Sequence, residues 1–560
     1  MAFNRGSEPI TFNEVDEANH PTATYVYTQS TQSLPLKHAN ARANSGRIDL
    51  LHDPSSLSTT SWSSKALLDT LADVFLPTGY PHSVTEDYTP YQIFDSLQAF
   101  SSSIAGLLSS RAVLQGVGVG NADASPTSAL LLHILQDSSG RIATILFAHR
   151  IGTALEPECK MYRLAADIFN DAAMILDCLS PMVPAGALRV LVLSTAGILR
   201  ALCGVAGGSS KASLSAHFSR WGNLAEVNAK DSSQETIISL VGMLVGSFVV
   251  SHVTGFAATW IVLLMLLALH LGLNYAAVRS VQMTSLNRQR ANIVFSTILN
   301  TDGDLSQLMD QDSGTSTRTH SEPLVPTTTI SPHNPRADYD RLQILTPSQV
   351  AKQERIFETD GVLRWSSPVP TSTAAIHHFQ AGLSIGTCRI GVSLRQFLLS
   401  PSSSSSSSSP SFFSFSSLAL RPTHSSKSLK TNIPLPQLSI LFTDEHYILF
   451  LSCLKGKWHA NILLKSSCTP QSQLKGWLHA LLAARVLSCS HARSPGANSS
   501  ETGGQPEMDG SISSILDVLH RTLSFLNEDG RFERYMAALE DAGWDLTIRA
   551  LETKSGRRVY

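Results

Sequence analysis

Apolar and polar positions fall into distinct regimes along this chain. Residues 1 to about 60 are rich in Ser, Thr, Asn, Pro and His and follow neither a helical nor a strand period. Such a segment buries too little apolar surface to offset its ordering entropy, and it reads as a disordered tail. From Trp62 the pattern changes. Ala66, Leu67, Leu68, Leu71, Val74 and Phe75 share one helical face until the turn formers Pro77, Gly79, Tyr80 and Pro81 interrupt it. Helical stretches follow one another between Tyr91 and Ser180, and Ser180 to Gly208 is apolar apart from Arg189 and Arg200.

The run from Thr236 to Val278 is more extreme, with 43 consecutive residues free of Asp, Glu, Lys and Arg. A single helix of that length would extend about 65 Å, roughly twice the ~30 Å hydrocarbon core of a bilayer. Two helices fit, Thr236–Val250 and Phe256–Val278, with a turn over Ser251 to Gly255. A hairpin buried in a large soluble domain is the competing reading, but uncharged helices this long belong more naturally in lipid. Lys211, Arg220 and Lys230 precede the run and Arg279, Arg288 and Arg290 follow it, so both ends are expected on the cytoplasmic side. Gly242 and Gly246 form a small-xxx-small pair, the spacing that lets two helix backbones approach closely in lipid.

Beyond Arg279 polarity returns. The pattern divides the chain into a tail (1–60), a helical membrane domain built of small-residue-rich helices (61–300), a disordered linker (301–340) and a smaller α+β domain (341–556). That last domain has a helix-like start at Pro347–Phe357, strand-like segments at 384–392, 447–451 and 458–464, and helices at 471–487, 511–526 and 532–544. Low-complexity inserts interrupt it near 400–430 and 490–510. The fold class is therefore mainly α.

Composition explains part of this and excludes some functions. Of 560 residues, 43% are hydrophobic and only 15% charged, against about a quarter charged in average soluble domains. The formal net charge of −2 offers no basic field for nucleic acid. Seven scattered cysteines include no CxxC pair, so neither a disulfide framework nor a zinc site is expected. Met1 to Val15 lack an apolar core, so a cleaved secretory signal is not expected.

Candidate chemistry is sparse. Gly116, Gly118 and Gly120 alternate instead of following GxGxxG, and no strand precedes them; they read as a helix-to-helix connection. Asp167 and Asp171 lie on one helical face and would bind a cation or relay protons. The bland alternative is neutralisation by Lys160 and Arg163, the latter four residues before Asp167. Arg200 and Arg189 need partners in an apolar block, and an aspartate of this group would supply one. His252 and His270 read as packed histidines. No nucleophile–base spacing, metal motif or cofactor fingerprint occurs, so neither an enzyme, a metal nor a cofactor is expected.

The segment Phe75-Leu-Pro-Thr-Gly-Tyr-Pro-His-Ser-Val-Thr-Glu-Asp-Tyr-Thr-Pro-Tyr-Gln-Ile-Phe-Asp95, followed by Arg111-Ala-Val-Leu-Gln-Gly-Val-Gly-Val-Gly120, closely resembles the root UVB sensitive family. Later blocks of that family resemble Gly152 to Lys160, Ala166 to Asp171, Gly222 to Lys230, Ser233 to Thr236 and Ser285 to Arg290, in the same order. The resemblance implies a membrane-associated protein of an endomembrane or mitochondrion. Its plant members are linked to UV-B responses, auxin transport and vitamin B6 homeostasis, and the family has no settled reaction. Acidic Glu8, Glu14, Asp16 and Glu17 depart from the transit peptides of plastid members.

The expectation is thus a non-enzymatic integral membrane protein, partnered by membrane lipids and by a family paralogue or a second copy of itself. The alternative is a carrier of a B6 vitamer or an amphipathic metabolite. It would use Asp87, Tyr88, Tyr91, Gln92, Asp95, Arg111, Asp167 and Asp171, with Lys160 or Lys230 as the lysine a Schiff base would need.

Overall fold

The computed structural model describes residues 10–15, 21–29, 46–52, 71–117, 126–184, 186–310, 342–366, 382–399, 431–454, 456–493, 509–554 and 556–560. Gly118, Gly120, most of the expected linker, the first low-complexity insert and most of the second lie outside them. The chain divides into two compact units, residues 1–143 with 163–281, and residues 144–162 with 282–560.

Three stretches of the segment read as a disordered tail form strands in the first unit, and the rest of that segment lies outside the described residues. Strands β1 (Ile10–Val15), β2 (Pro21–Gln29) and β3 (Gly46–His52) form an antiparallel sheet in the order β1-β2-β3. Aromatic and β-branched residues in register, Tyr25 opposite Phe12 and Tyr27 opposite Ile10, supply the strand propensity that overall composition hides. The rest is helical: α1 (Tyr88–Val117), α2 (Pro126–Ile151), α3 (Cys159–Leu179), α4 (Ala187–Phe218), α5 (Leu224–His252) and α6 (Phe256–Ser280). The unit divide falls within α2 and within α3.

Helices α5 and α6 are the expected hairpin, turning at 253–255. Helix α5 begins well before Thr236, because Asp231 inside it has buried partners and does not end the helix. Helix α4 is a third helix long and apolar enough to cross a membrane. In the most apolar stretch of each of the three, at most 17% of residues are buried. Leu191, Leu244, Phe248, Ile261 and Met265 are among the large apolar side chains left exposed. Leu130, Leu131, Ile134 and Ile142 of α2 are exposed as well.

The helix-spacing glycines act inside this unit. A Cβ on Gly242 would lie 2.7 Å from Ser103 Cβ, and one on Gly246 would lie 2.8 Å from Leu107 Cδ1. Both glycines therefore set the close approach of α5 to α1. Gly116 belongs to the last turn of α1, not to a loop, which corrects the reading of it as a connection.

The second unit holds α7 (Arg288–Thr301), α8 (Leu305–Asp310), α9 (Pro347–Gln353), β4 (Val362–Trp365), β5 (Leu383–Ile390), α10 (Leu394–Leu398), α11 (Leu435–Leu441), β6 (Tyr447–Leu454), β7 (Lys457–Lys465), α12 (Pro470–Arg493), α13 (Asp509–Asn527), α14 (Arg531–Asp541) and β8 (Arg558–Val559). Helix α8 falls where the composition predicts linker. The sheet order is β4-β5-β7-β6 with β8 beside β7; β5 and β8 run parallel to β7, and β6 forms an antiparallel hairpin with it. Helix α12 packs on the sheet through Trp477, Leu478 and Leu481, all fully buried, and Trp477 Nε1 donates to Asn292 Oδ1 of α7 at 2.9 Å. The α+β character is as expected, with the short strands β4 and β8 added, but this unit also takes in residues 144–162 and 282–300, which the pattern assigns to the helical domain.

Candidate functional site

The helical unit exposes large apolar side chains and buries six aspartates. Asp87, Asp95, Asp167, Asp171, Asp177 and Asp231 are all buried. Burying a carboxylate is costly unless it is paired, so each partner matters.

Arg163 organises the centre. Its Nη2 donates to Asp95 at 2.7 Å, its Nη1 to Asp167 at 3.0 Å and its Nε to the Tyr91 hydroxyl at 3.3 Å. The i, i+4 pair expected from sequence is therefore present, with Asp95 of α1 added to it. Burial pushes the Asp167 carboxyl above its ordinary range, against the lowering pull of Arg163 and His270. His270 Nδ1 lies 2.7 Å from Asp171, and its Nε2 lies 3.9 Å from Asp167. Arg200 pairs with Asp177, which also accepts from Ser109, and Arg189 donates to the Gly116 and Val183 carbonyls.

A second group lies beside the first, joined to it by Tyr91. Tyr88, Tyr91, Gln92, Lys211, Leu214, Ser215, Phe218, Val227 and Asp231 line a small recess whose free space is about 10 Å3, room for roughly one water, part of it open to solvent. Tyr88 and Tyr91 pack against the Phe218 ring with centroids 5.5 and 5.1 Å away. Asp231 accepts from Gln92 at 2.8 Å and pairs with Lys211 at 2.7 Å. Asp87 stands at the edge of this group, 2.9 Å from His217 Nε2.

The expected cluster is thus brought together except for one member. Arg111 donates to the Val250 and Val253 carbonyls and to Thr259 Oγ1, holding the α5–α6 turn far along α1 from Tyr91. Neither lysine singled out for a Schiff base lines the recess. Lys160 is buried against Glu354 at 2.6 Å, and Lys230 donates to the Asp73 and Val74 carbonyls. Sequence reasoning missed Lys211, His217, Asp231 and Asn274. Lys211 reads there as a flanking charge of the hairpin, and only its pairing with Asp231 gives it a place inside.

Pro77, Gly79, Tyr80 and Pro81 form the turn ahead of α1. Gly79 has φ +74°, and a Cβ there would lie 2.5 Å from the Trp221 ring. The Tyr80 hydroxyl is 2.7 Å from Thr89 Oγ1.

Residues 61–302 match the family described as "Vitamin B6 photo-protection and homoeostasis domain". Over 239 residues the chain is 44% identical to RUS family member 1 of Dictyostelium discoideum, which covers 42% of this chain and 45% of that protein. Over 228 residues it is 37% identical to Protein root UVB sensitive 3 of Arabidopsis thaliana, covering 40% and 51% respectively. The helical region belongs to the root UVB sensitive family. The chain spans about half the length of these relatives. No solved structure matches.

Two of the root UVB sensitive blocks meet in the second unit. Asn287 Nδ2 donates to Glu158 Oε2 at 3.1 Å and to the Pro157 carbonyl at 3.2 Å. Lys160 and Arg290 both donate to Glu354, each at 2.6 Å. Burial pushes Glu158 up to about 7 and the Cys159 thiol up to about 11. Burial also pushes Glu354 upward, but Lys160 and Arg290 prevail and hold it below the ordinary carboxylate range. This junction is fully paired and reads as a structural anchor.

Proposed function

We propose that this chain is a non-enzymatic integral membrane protein whose helical unit, embedded among lipids, binds a small polar molecule. One observation carries the reading. Helices α4, α5 and α6 present large apolar side chains outward while the carboxylates, Arg163 and His270 face inward. Water would favour the reverse distribution, whereas hydrocarbon favours this one. Alkaline carbonate extraction of membranes tests it: the protein is expected in the membrane pellet, and recovery in the soluble fraction would overturn the reading.

The ligand reading rests on the recess. Its aromatic wall, where Tyr88 and Tyr91 pack on Phe218, has to part to admit a flat ring, and Lys211, Gln92 and Asp231 offer both donors and acceptors at the edge. A hydroxylated pyridine of the B6 class has those features, and the family description names vitamin B6. Titration of the detergent-solubilised full chain with pyridoxine is expected to give saturable binding that Gln92→Leu weakens about tenfold, the loss of one buried hydrogen bond. Binding unchanged in that variant would place the ligand elsewhere.

A further inference from the structure

The interior beside Arg163 does not balance its charge with the cations it holds. Among the described residues, Arg163 is shared between Asp95 and Asp167, and Asp171 pairs with His270 alone. Counting Asp95, Asp167 and Asp171 against Arg163, a neutral His270 leaves an excess negative charge of about two in a region of low dielectric, where it is costly. Lys211 is occupied by Asp231 and Glu235, and Arg200 by Asp177, so neither is free to neutralise it.

Unsatisfied hydrogen-bonding atoms lie on the same elements. Among the described residues, Asp171 Oδ2 is buried without a partner, and so are both amide atoms of Asn274, a fully buried residue. Asn274 follows His270 by one turn, on the same face of α6. Buried polar groups are normally paired, so these atoms point to a small hydrogen-bonding species that the side chains themselves do not supply.

We propose that His270 and Asp171 form a proton-binding site inside the helical unit. His270 then carries a proton on both ring nitrogens, Nδ1–H directed to Asp171 Oδ1 and Nε2–H toward Asp167. On release, Nε2 gives its proton to a water molecule and keeps its lone pair, while Nδ1–H stays on Asp171. Among the described residues, the other charged or titratable groups around the site are Arg163 on α3, Tyr91 and Asp95 on α1, and Cys203 on α4.

Nitrogen-15 NMR of histidine-labelled full chain in nanodiscs tests the site, with His270→Gln assigning the resonances. The expected result is an imidazolium pattern for His270 at neutral pH that Asp171→Asn abolishes and Asp171→Glu retains, with His217 beside Asp87 unchanged. A neutral tautomer throughout about pH 5 to 8, the histidine switching range, would overturn the proposal. So would an imidazolium signal indifferent to Asp171→Asn. Should that variant fail to fold, the native titration decides alone. The reading reads out separately from membrane integration, because carbonate extraction can fail while this titration stands.

Discussion

Lys160 Nζ lies 2.6 Å from Glu354 Oε2, with both side chains no more than 5% exposed and 194 positions apart in sequence. Arg290 holds the other oxygen of the same carboxylate. Removing one member of a buried ionic cluster strands the rest without compensation. Lys160→Met is therefore expected to destabilise the second unit by about 3–5 kcal/mol, measured by denaturant unfolding in detergent. The triple change Lys160→Met, Arg290→Met, Glu354→Leu removes the stranded charge and is expected to recover much of that loss. A single variant as stable as the native chain would contradict the anchor role.

Glu158 gives this unit a pH dependence of defined sign. Its folded-state value of about 7 lies above the ordinary 4.5, so the native state holds the extra proton. That stabilisation is complete below about 4.5 and is lost as pH rises through about 7. It amounts to on the order of 3 kcal/mol. Glu354 acts oppositely: held low, it stabilises above its ordinary value and loses that contribution as pH falls. Glu158→Gln should flatten the decline between about pH 4.5 and 7, the interval its shift spans. A decline as steep as in the native chain would assign it to another group.

The approach of α5 to α1 depends on absent side chains. Gly242→Ala places a methyl 2.7 Å from Ser103 Cβ and 3.0 Å from the Phe100 carbonyl. Overpacking of this kind costs about 1–3 kcal/mol. Gly204→Ala on α4 meets nothing within 4 Å, so it is expected to be neutral or stabilising by about 0.5–1 kcal/mol. Thermal unfolding of the two variants should separate them, and equal effects would mean that helix propensity rather than packing decides.

Arg111 ties the helical hairpin to α1 through two carbonyls and a hydroxyl. Arg111→Met keeps the aliphatic stem but leaves those acceptors unmet, at about 1–3 kcal/mol for the buried share. Pyridoxine binding at the recess should persist in this variant, because Arg111 is not part of the recess lining. Loss of binding with the fold intact would return Arg111 to the ligand site.

How much was legible in the sequence follows from what each residue's partners are. The hairpin was legible because an uncharged run is a local property, and its turn falls where Thr254 and Gly255 break the apolar pattern. The start of α5 was not, since Asp231 and Glu235 look like a boundary until Lys211, on another helix, is seen to pair with both. The Tyr88, Tyr91 and Gln92 grouping was visible as one helical face. Their counterparts Lys211, Asp231 and His270 sit far along the chain, and only packing brings them in. Strands β4 and β8 were missed because four and two residues carry no readable period, and the N-terminal strands because polar neighbours dilute their alternation.

The central claim, a helical unit turned apolar side outward into a bilayer, is tested most directly by cysteine accessibility in native membranes. Single cysteines at Leu244, Phe248, Ile261 and Met265, all exposed apolar positions, are expected to resist a membrane-impermeant maleimide until detergent is added. The exposed Cys453 of the second unit serves as the reactive control in opened vesicles. Labelling at those four positions as rapid as at Cys453, before any detergent, would contradict the claim.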